Sequence, residues 1–182
     1  MPKIISVANQ KGGVGKTTTS INLATSLSAI NKQILLVDAD PQGNASTGMG
    51  IPYDEREPNL YDLIVSRNYD DNAVKKTIVP GLDIITSNTN LAASEIELVG
   101  VEKREFVVSK ILSETKDYDY ILIDCPPALG LLTINSLVAS HSVIVPLQSE
   151  FFALEGISSL INSIQLIKEN YNSNLIIEGI LL

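Results

Sequence analysis

Cysteine is almost missing from this chain: Cys125 is the only one in 182 residues. A single thiol forms no internal disulfide, and such scarcity fits a reducing cytosol. Long hydrophobic runs are missing too. None approaches the ~20 apolar residues needed to cross a bilayer, so no membrane segment is expected. The opening MPKIISVANQ lacks the charged region and long apolar stretch of a secretory signal. No Gly/Ser-rich or Pro-rich linker and no internal repeat breaks the chain, so residues 1–182 are expected to form one domain.

Positive charge is scarce and unevenly placed. The formal net charge is −8. Residues 51–120 carry 14 acidic and 8 basic side chains, and residues 121–182 carry five acids and only Lys168 as a base. Nucleic-acid binders usually show a basic stripe. None is visible here, which argues against strong DNA binding by this stretch of chain. Apolar residues make up 45% of the chain, enough to exclude a disordered segment.

Short apolar runs alternate with longer helical patterns. Strands are expected at Lys3–Ala8, Gln33–Asp40, Leu82–Thr86, Tyr118–Pro127, His141–Leu147 and Asn174–Leu182. Helices are expected over Thr17–Ser28, with Ile21, Leu23, Ala24 and Leu27 on the apolar face, over Lys103–Glu114, and over Ala153–Asn170. Apolar strands alternating with helices imply an α/β fold: a doubly wound, mainly parallel sheet covered on both faces. The sequence stops inside an apolar strand, where a doubly wound fold calls for a further helix. A C-terminal portion is therefore expected to be missing from these 182 residues.

The stretch ANQKGGVGKTTTSINLA, Ala8–Ala24, carries the first chemical signal. Gly15, Lys16 and Thr17 match the end of the phosphate-binding pattern G-x-x-x-x-G-K-[ST], but Gln10 stands where its first glycine belongs, and a second lysine, Lys11, follows. The main chain of Gly12, Gly13, Val14 and Gly15 can wrap a phosphate and aim N–H groups at it. The positive end of the following helix adds to the attraction. Lys16 is expected to reach the β- and γ-phosphates, Thr17 to ligate Mg²⁺, and Thr18 to touch the α-phosphate. Three carboxylates close apolar strands: Asp38 and Asp40 in ILLVDAD, and Asp124 in YILID. Ligands of open α/β sheets bind beyond the carboxyl ends of the strands, so all three are expected on the rim of the phosphate loop. Asp124 stands where a Walker-B aspartate holds the Mg²⁺ shell.

Together KGGVGKTT, ILLVDADPQGNAS, YDYILIDCPPALGLLTINSL and PLQSEFFALEG resemble the ParA/Soj group of deviant-Walker ATPases, which partition bacterial chromosomes and plasmids. The likeness extends through EREPNLYDLI and GLDIITSNTNLAASEIEL. It implies a bacterial cytoplasmic, nucleoid-associated ATPase that uses ATP and Mg²⁺. It implies a homodimer sandwiching two nucleotides, in which Lys11 crosses to the partner's phosphates. It assigns Asp40 to the attacking water, and Asp38 and Asp124 to Mg²⁺ through its waters. Asp40–Ser46 and Asp124–Gly130 match switch segments, and FFALEG is placed near the dimer interface. A ParB-type partner and nonspecific DNA are implied for the full-length protein, with weak DNA binding by this chain. The lean is toward chromosomal cargo.

Other readings compete. A dethiobiotin-synthetase-like enzyme needs a small-molecule pocket and has no need of Lys11. A MinD-like membrane switch needs a basic amphipathic C-terminal helix, which is not in this sequence. A nonhydrolysing nucleotide scaffold conflicts with Lys16, Asp40 and Asp124. The nitrogenase iron protein, a more distant relative of this group, needs two cysteines per subunit for a shared cluster, and this chain has one. Cys125 has no adjacent base and His141 no partner motif, so neither is assigned chemistry.

Overall fold

The computed structural model describes residues 1–148 and 153–182, with side chains left undescribed over 153–157. Its frame is one seven-stranded sheet in the order β3-β4-β2-β5-β1-β6-β7. The strands are β1 (Lys3–Val7), β2 (Ile34–Asp38), β3 (Val74–Lys76), β4 (Leu82–Ile85), β5 (Tyr120–Asp124), β6 (Ser142–Pro146) and β7 (Ile176–Leu181). All neighbours pair in parallel except β3, which runs antiparallel to β4. The helices are α1 (Lys16–Ala29), α2 (Asn44–Gly48), α3 (Leu60–Ser66), α4 (Ser94–Glu97), α5 (Val107–Ser113), α6 (Leu131–Ala139) and α7 (Ala153–Asn170). This is the α/β architecture expected from the alternating apolar runs.

The strands are apolar because both faces of the sheet are covered. Successive side chains point to opposite faces, and they feed different cores. Leu35, Val37, Ile121 and Ile123 enter one cluster with α3, α5 and α6. Ile34, Leu36 and Leu122 enter the other, with Ala24 of α1. The edge strand β7 differs: Ile176, Ile177, Ile180 and Leu181 are all exposed.

α3, β3 and α6 lie where no element is expected from the sequence, and the buried face of α1 differs from the expected one. The segment between β2 and β4 contains α3 and β3. Asn59 caps α3 by accepting from Tyr61 N at 2.9 Å, and Asp62 accepts from Asn59 N at 2.8 Å, a reciprocal capping box. The run LLTINSLVA forms α6, although its apolar content also suits a strand. The buried stripe of α1 is Lys16, Ser20, Ala24 and Ser28; Ile21, Leu23 and Leu27 are only half-buried. Small residues at four-residue spacing let α1 lie close to the sheet, and this brings Ser20 to the end of β5.

Candidate functional site: a phosphate loop above the strand ends

β1 stands between β5 and β6. Its neighbours on the two sides are reached by connections that leave in opposite directions, which opens a crevice above its carboxyl end. The loop from Ala8 to Gly15 fills that crevice and opens α1. Asn9 anchors its entry: Nδ2 donates to the Pro146 carbonyl at 2.6 Å, and Oδ1 accepts from Lys11 N at 3.0 Å. Gln148 Nε2 donates to the Gly13 carbonyl at 2.9 Å. Gln10, in place of the usual glycine, reaches out to Ser159 Oγ on α7 at 3.2 Å. The loop is thus held from β6 and α7 while its centre stays open.

That centre suits an anion. Gly13 and Gly15 have φ of 74° and 90°, the left-handed region that favours glycine. A Cβ added at Gly12, Gly13 or Gly15 would meet no atom within 4 Å, so the space above the loop is open. α1 begins with no side-chain cap and no acidic residue in its first turn. Its first N–H groups and its dipole are therefore available to a phosphate. Lys16 is buried, and its Nζ donates to the Lys11 carbonyl at 3.2 Å. Burial lowers the Lys16 pKa, and the charges of Asp124 and Asp40 partly oppose that shift. Lys11 is half-buried on the loop, beside exposed Gly12 and Gly13.

The carboxylates are close to this loop but differently engaged. Asp124 ends β5 and is fully buried. Ser20 Oγ donates to its Oδ1 at 2.9 Å, while Oδ2 has no partner. Burial pushes its pKa up to about 6, against hydrogen bonding from Thr17 and Ser20 that favours the charged form. An orphaned buried carboxylate oxygen next to Thr17 fits a hydrated divalent cation. No cluster of three His, Cys, Asp or Glu side chains that could hold a metal occurs among the described residues. A cation here would therefore rely on Thr17, water and ligand phosphate, as Mg²⁺ commonly does.

Asp38 is turned toward the following loop. Its Oδ2 accepts from Ser46 N and Ser46 Oγ, both at 2.7 Å, and its Oδ1 accepts from Asp40 N at 3.2 Å. Burial raises its pKa to about 7. Asp38 thus braces Asp40–Ser46 in this structure. Asp40 lies two residues beyond β2, its carboxylate accepting from Gln42 N at 3.0 Å. The structure thus brings Lys16, Thr17, Asp40 and Asp124 around one crevice, with Asp38 behind them.

Three further residues were not singled out from sequence. Asn9 and Ser20 hold the loop and Asp124. Ser87, after β4, donates its Oγ to the Asp40 carbonyl at 2.8 Å and its N to Ser46 Oγ at 3.0 Å. Only Ser20 leaves a trace in the sequence, one turn beyond Lys16. Cys125 is buried and its thiol is pushed up to about 12 by burial, which keeps it protonated and unreactive. His141 is a structural acceptor, its Nδ1 taking Ile4 N at 3.0 Å. FFALEG lies outside the residues whose side chains are described.

Residues 2–177 match the profile of the AAA_31 family, described as an AAA domain. The chain is 51% identical over 183 residues to the sporulation initiation inhibitor protein Soj of Bacillus subtilis, covering 100% of this chain and 72% of that protein. It is 45% identical to the chromosome partitioning protein ParA of Caulobacter vibrioides, covering 99% of this chain and 68% of the relative. Among solved structures, cobyrinic acid a,c-diamide synthase from Mycobacterium smegmatis with bound ADP and magnesium superposes with a TM-score of 0.94 at 35% identity, over 100% of this chain and 74% of the other. A putative plasmid partition protein from Borrelia burgdorferi bound to AMPPNP gives 0.84 at 32% identity, over 100% and 74%. With this likeness extending across the whole of its length, the chain belongs to the ParA/Soj family of P-loop NTPases.

Proposed function

We propose that this protein is an ATP-dependent partition switch. It binds ATP with Mg²⁺, forms a nucleotide-bridged homodimer, and hydrolyses ATP slowly until a ParB-type partner stimulates it. Its role is to segregate chromosomal or plasmid DNA in a bacterial cell, on the nucleoid. The observation that carries this reading is the pair of lysines in one loop: Lys16 buried within it, and Lys11 at its outer side near Gly12 and Gly13. Lys16 reaches inward to the bound phosphates. Lys11 serves the nucleotide of the second subunit, placing positive charge beside the negative charge on the oxygens of the transferring phosphoryl group.

The remaining roles follow from position. Gly12–Gly15 and the start of α1 bind phosphate oxygens through main-chain N–H groups. Thr17 and Asp124 hold the Mg²⁺ shell, and Mg²⁺ supplies neutralisation of phosphate charge when bound. Asp40 orients water for attack; Asp38, which the resemblance puts with Asp124 at the Mg²⁺ waters, has both oxygens engaged by Asp40 N and Ser46 here and sets the loop that carries Asp40. The high overlap with a diamide synthase means the fold alone does not choose between a partition switch and a small-molecule enzyme. The higher identity to partition proteins and the presence of Lys11 favour the switch.

The test is ATP turnover per molecule against protein concentration, in the wild type and in Lys11→Ala. Turnover that climbs with concentration in the wild type and stays low and flat in the variant supports the reading. Turnover independent of both concentration and Lys11 points to a site complete in one subunit, and so to the small-molecule enzyme.

A further inference from the structure

A buried arginine with no role in the preceding scheme is wired to the loop that carries Asp40. Arg56 is only 5% exposed. Its Nη1 donates to the carbonyls of Gly43 at 3.4 Å and Ser87 at 3.2 Å. Its Nη2 donates to Thr47 Oγ1 at 2.7 Å, and both Nε and Nη2 reach the Ile51 carbonyl at 3.3 Å. The Tyr53 ring lies 5.5 Å from its Cζ, a cation–π contact. The guanidinium is thus solvated by carbonyls, a hydroxyl and a ring, and its rigid fork of donors ties four residues together.

The two residues whose carbonyls accept from Nη1 also donate to one shared atom. Gly43 N donates to the Asp40 carbonyl at 2.9 Å, and Ser87 Oγ donates to the same carbonyl at 2.8 Å. Arg56, Gly43, Asp40 and Ser87 therefore close a ring. The ring leaves little slack: a Cβ at Gly43 would stand 2.5 Å from Arg56 Nη1 and 2.9 Å from the Ser87 carbonyl oxygen. On the other side, Arg56 is fixed through its own carbonyl, which accepts from Thr86 Oγ1 at 2.7 Å. The end of β4 and the loop after β2 thereby share one cationic clasp.

We propose that Arg56 is a positioning residue for Asp40: by fixing the Gly43 and Ser87 carbonyls it sets the main-chain position from which the Asp40 carboxylate reaches reacting water. This rests on the ATPase reading above. Arginine is required because three of its nitrogens reach Gly43, Ser87, Thr47 and Ile51 at once, more acceptors than the three donors of a lysine ammonium can serve. Arg56 is remote from the phosphate loop in the hydrogen-bond network, so its loss acts on turnover rather than on nucleotide capture.

The experiment compares wild type, Arg56→Ala, Arg56→Lys and Ser87→Ala. Three readouts are taken: turnover at saturating ATP, affinity for a nonhydrolysable ATP analogue, and amide hydrogen exchange over residues 40–47. Arg56→Ala is expected to lower kcat at least about tenfold with analogue affinity changed less than about threefold. Millimolar guanidinium is expected to restore part of that loss in Arg56→Ala alone, and Arg56→Lys to remain well below wild type. Ser87→Ala, which removes one bond and keeps the fold, is expected to lower kcat several-fold. Both alanine variants are expected to exchange faster over 40–47. Wild-type kcat in Arg56→Lys or in Ser87→Ala overturns the proposal, as does a loss of turnover matched by an equal loss of analogue affinity. A wild type without turnover removes the ATPase reading. The exchange data then still decide whether Arg56 orders the Asp40 loop, and unchanged exchange overturns that as well.

Discussion

The ammonium of Lys16 donates to the main-chain carbonyl of Lys11 at 3.2 Å. The first lysine of the loop thus lends its backbone, not its charge, to hold the second. Lys16 is buried, and burial lowers its pKa. It carries a desolvation cost that its neighbours Asp124 and Asp40 only partly offset. On the proposed function, an incoming phosphate would supply the missing counter-charge.

Lys16→Ala should therefore separate two quantities. Nucleotide affinity is expected to fall at least about a hundredfold, since a charge-assisted contact to phosphate is lost. The stability of the nucleotide-free protein is expected to stay level or rise, because a buried cation goes with it. Titration with a fluorescent ATP analogue and urea denaturation measure the two. A large drop in nucleotide-free stability would mean that Lys16 serves the fold.

Gly12→Ala offers a cleaner probe of the cradle. Gly12 lacks the positive φ of Gly13 and Gly15, and a Cβ there meets nothing within 4 Å. Stability without nucleotide is expected to change by less than about 0.5 kcal/mol, the usual range for unconstrained surface changes. Analogue affinity is expected to fall at least about tenfold, because the methyl group occupies the space of a phosphate oxygen. Unchanged affinity would place the phosphate elsewhere.

Asp40→Ala is expected to leave analogue affinity intact while slowing turnover about a hundredfold, the signature of an interaction used only in the transition state. Loss of analogue binding would instead assign Asp40 to the bound nucleotide or its metal.

Much of this arrangement is legible in the sequence. The strands were legible because a sheet covered on both faces needs unbroken apolar runs, as in ILLVD and YILID. The phosphate loop was legible because its glycines, lysine and threonine are contiguous. β3 was not: it is three residues long, two of them lysines, and it sits at the sheet edge against β4. α6 was not assigned either: LLTINSLVA is buried nearly all round, so no polar face marks its period. Arg56 was invisible for a different reason. Besides the Thr47 hydroxyl and the Tyr53 ring, its partners are main-chain carbonyls from three separate segments, and carbonyls carry no sequence signature.

The pH dependence of stability should expose Asp38. Burial raises its pKa from an ordinary carboxylate value to about 7. The folded state therefore binds the proton more tightly than the unfolded chain. The contribution of Asp38 to stability is fully present below about pH 4, the unfolded value. It is lost as pH rises toward 7 and stays level above that. Asp124, raised to about 6, acts in the same direction. In Asp38→Asn only the first of these contributions disappears. The stability difference between nucleotide-free wild type and variant is expected to shift against the wild type as pH rises, by at most about 1.4 kcal/mol per unit. Urea titrations from pH 4.5 to 8 in EDTA measure it, and a difference that is flat or moves the other way would show that Asp38 is ionised throughout.

DNA binding by the 182-residue chain should be weak. The balance of charge is acidic, and residues 121–182 contribute Lys168 as their only Lys or Arg. Nonspecific affinity comes from cations that displace counterions along the phosphate backbone, and such cations are sparse here. In the presence of a nonhydrolysable ATP analogue, no gel shift of a duplex is expected at low micromolar protein and physiological salt, where nonspecific binders bind with Kd of about 10⁻⁴–10⁻⁶ M. The relatives are longer: the chain covers 72% of Soj and 68% of ParA. A longer protein that adds basic residues is expected to shift the same duplex, with an affinity that falls steeply as salt is raised. Tight, salt-steep binding by the 182 residues themselves would mean that a few of their lysines and arginines, scattered in sequence, gather on one face strongly enough to outweigh the net charge of −8.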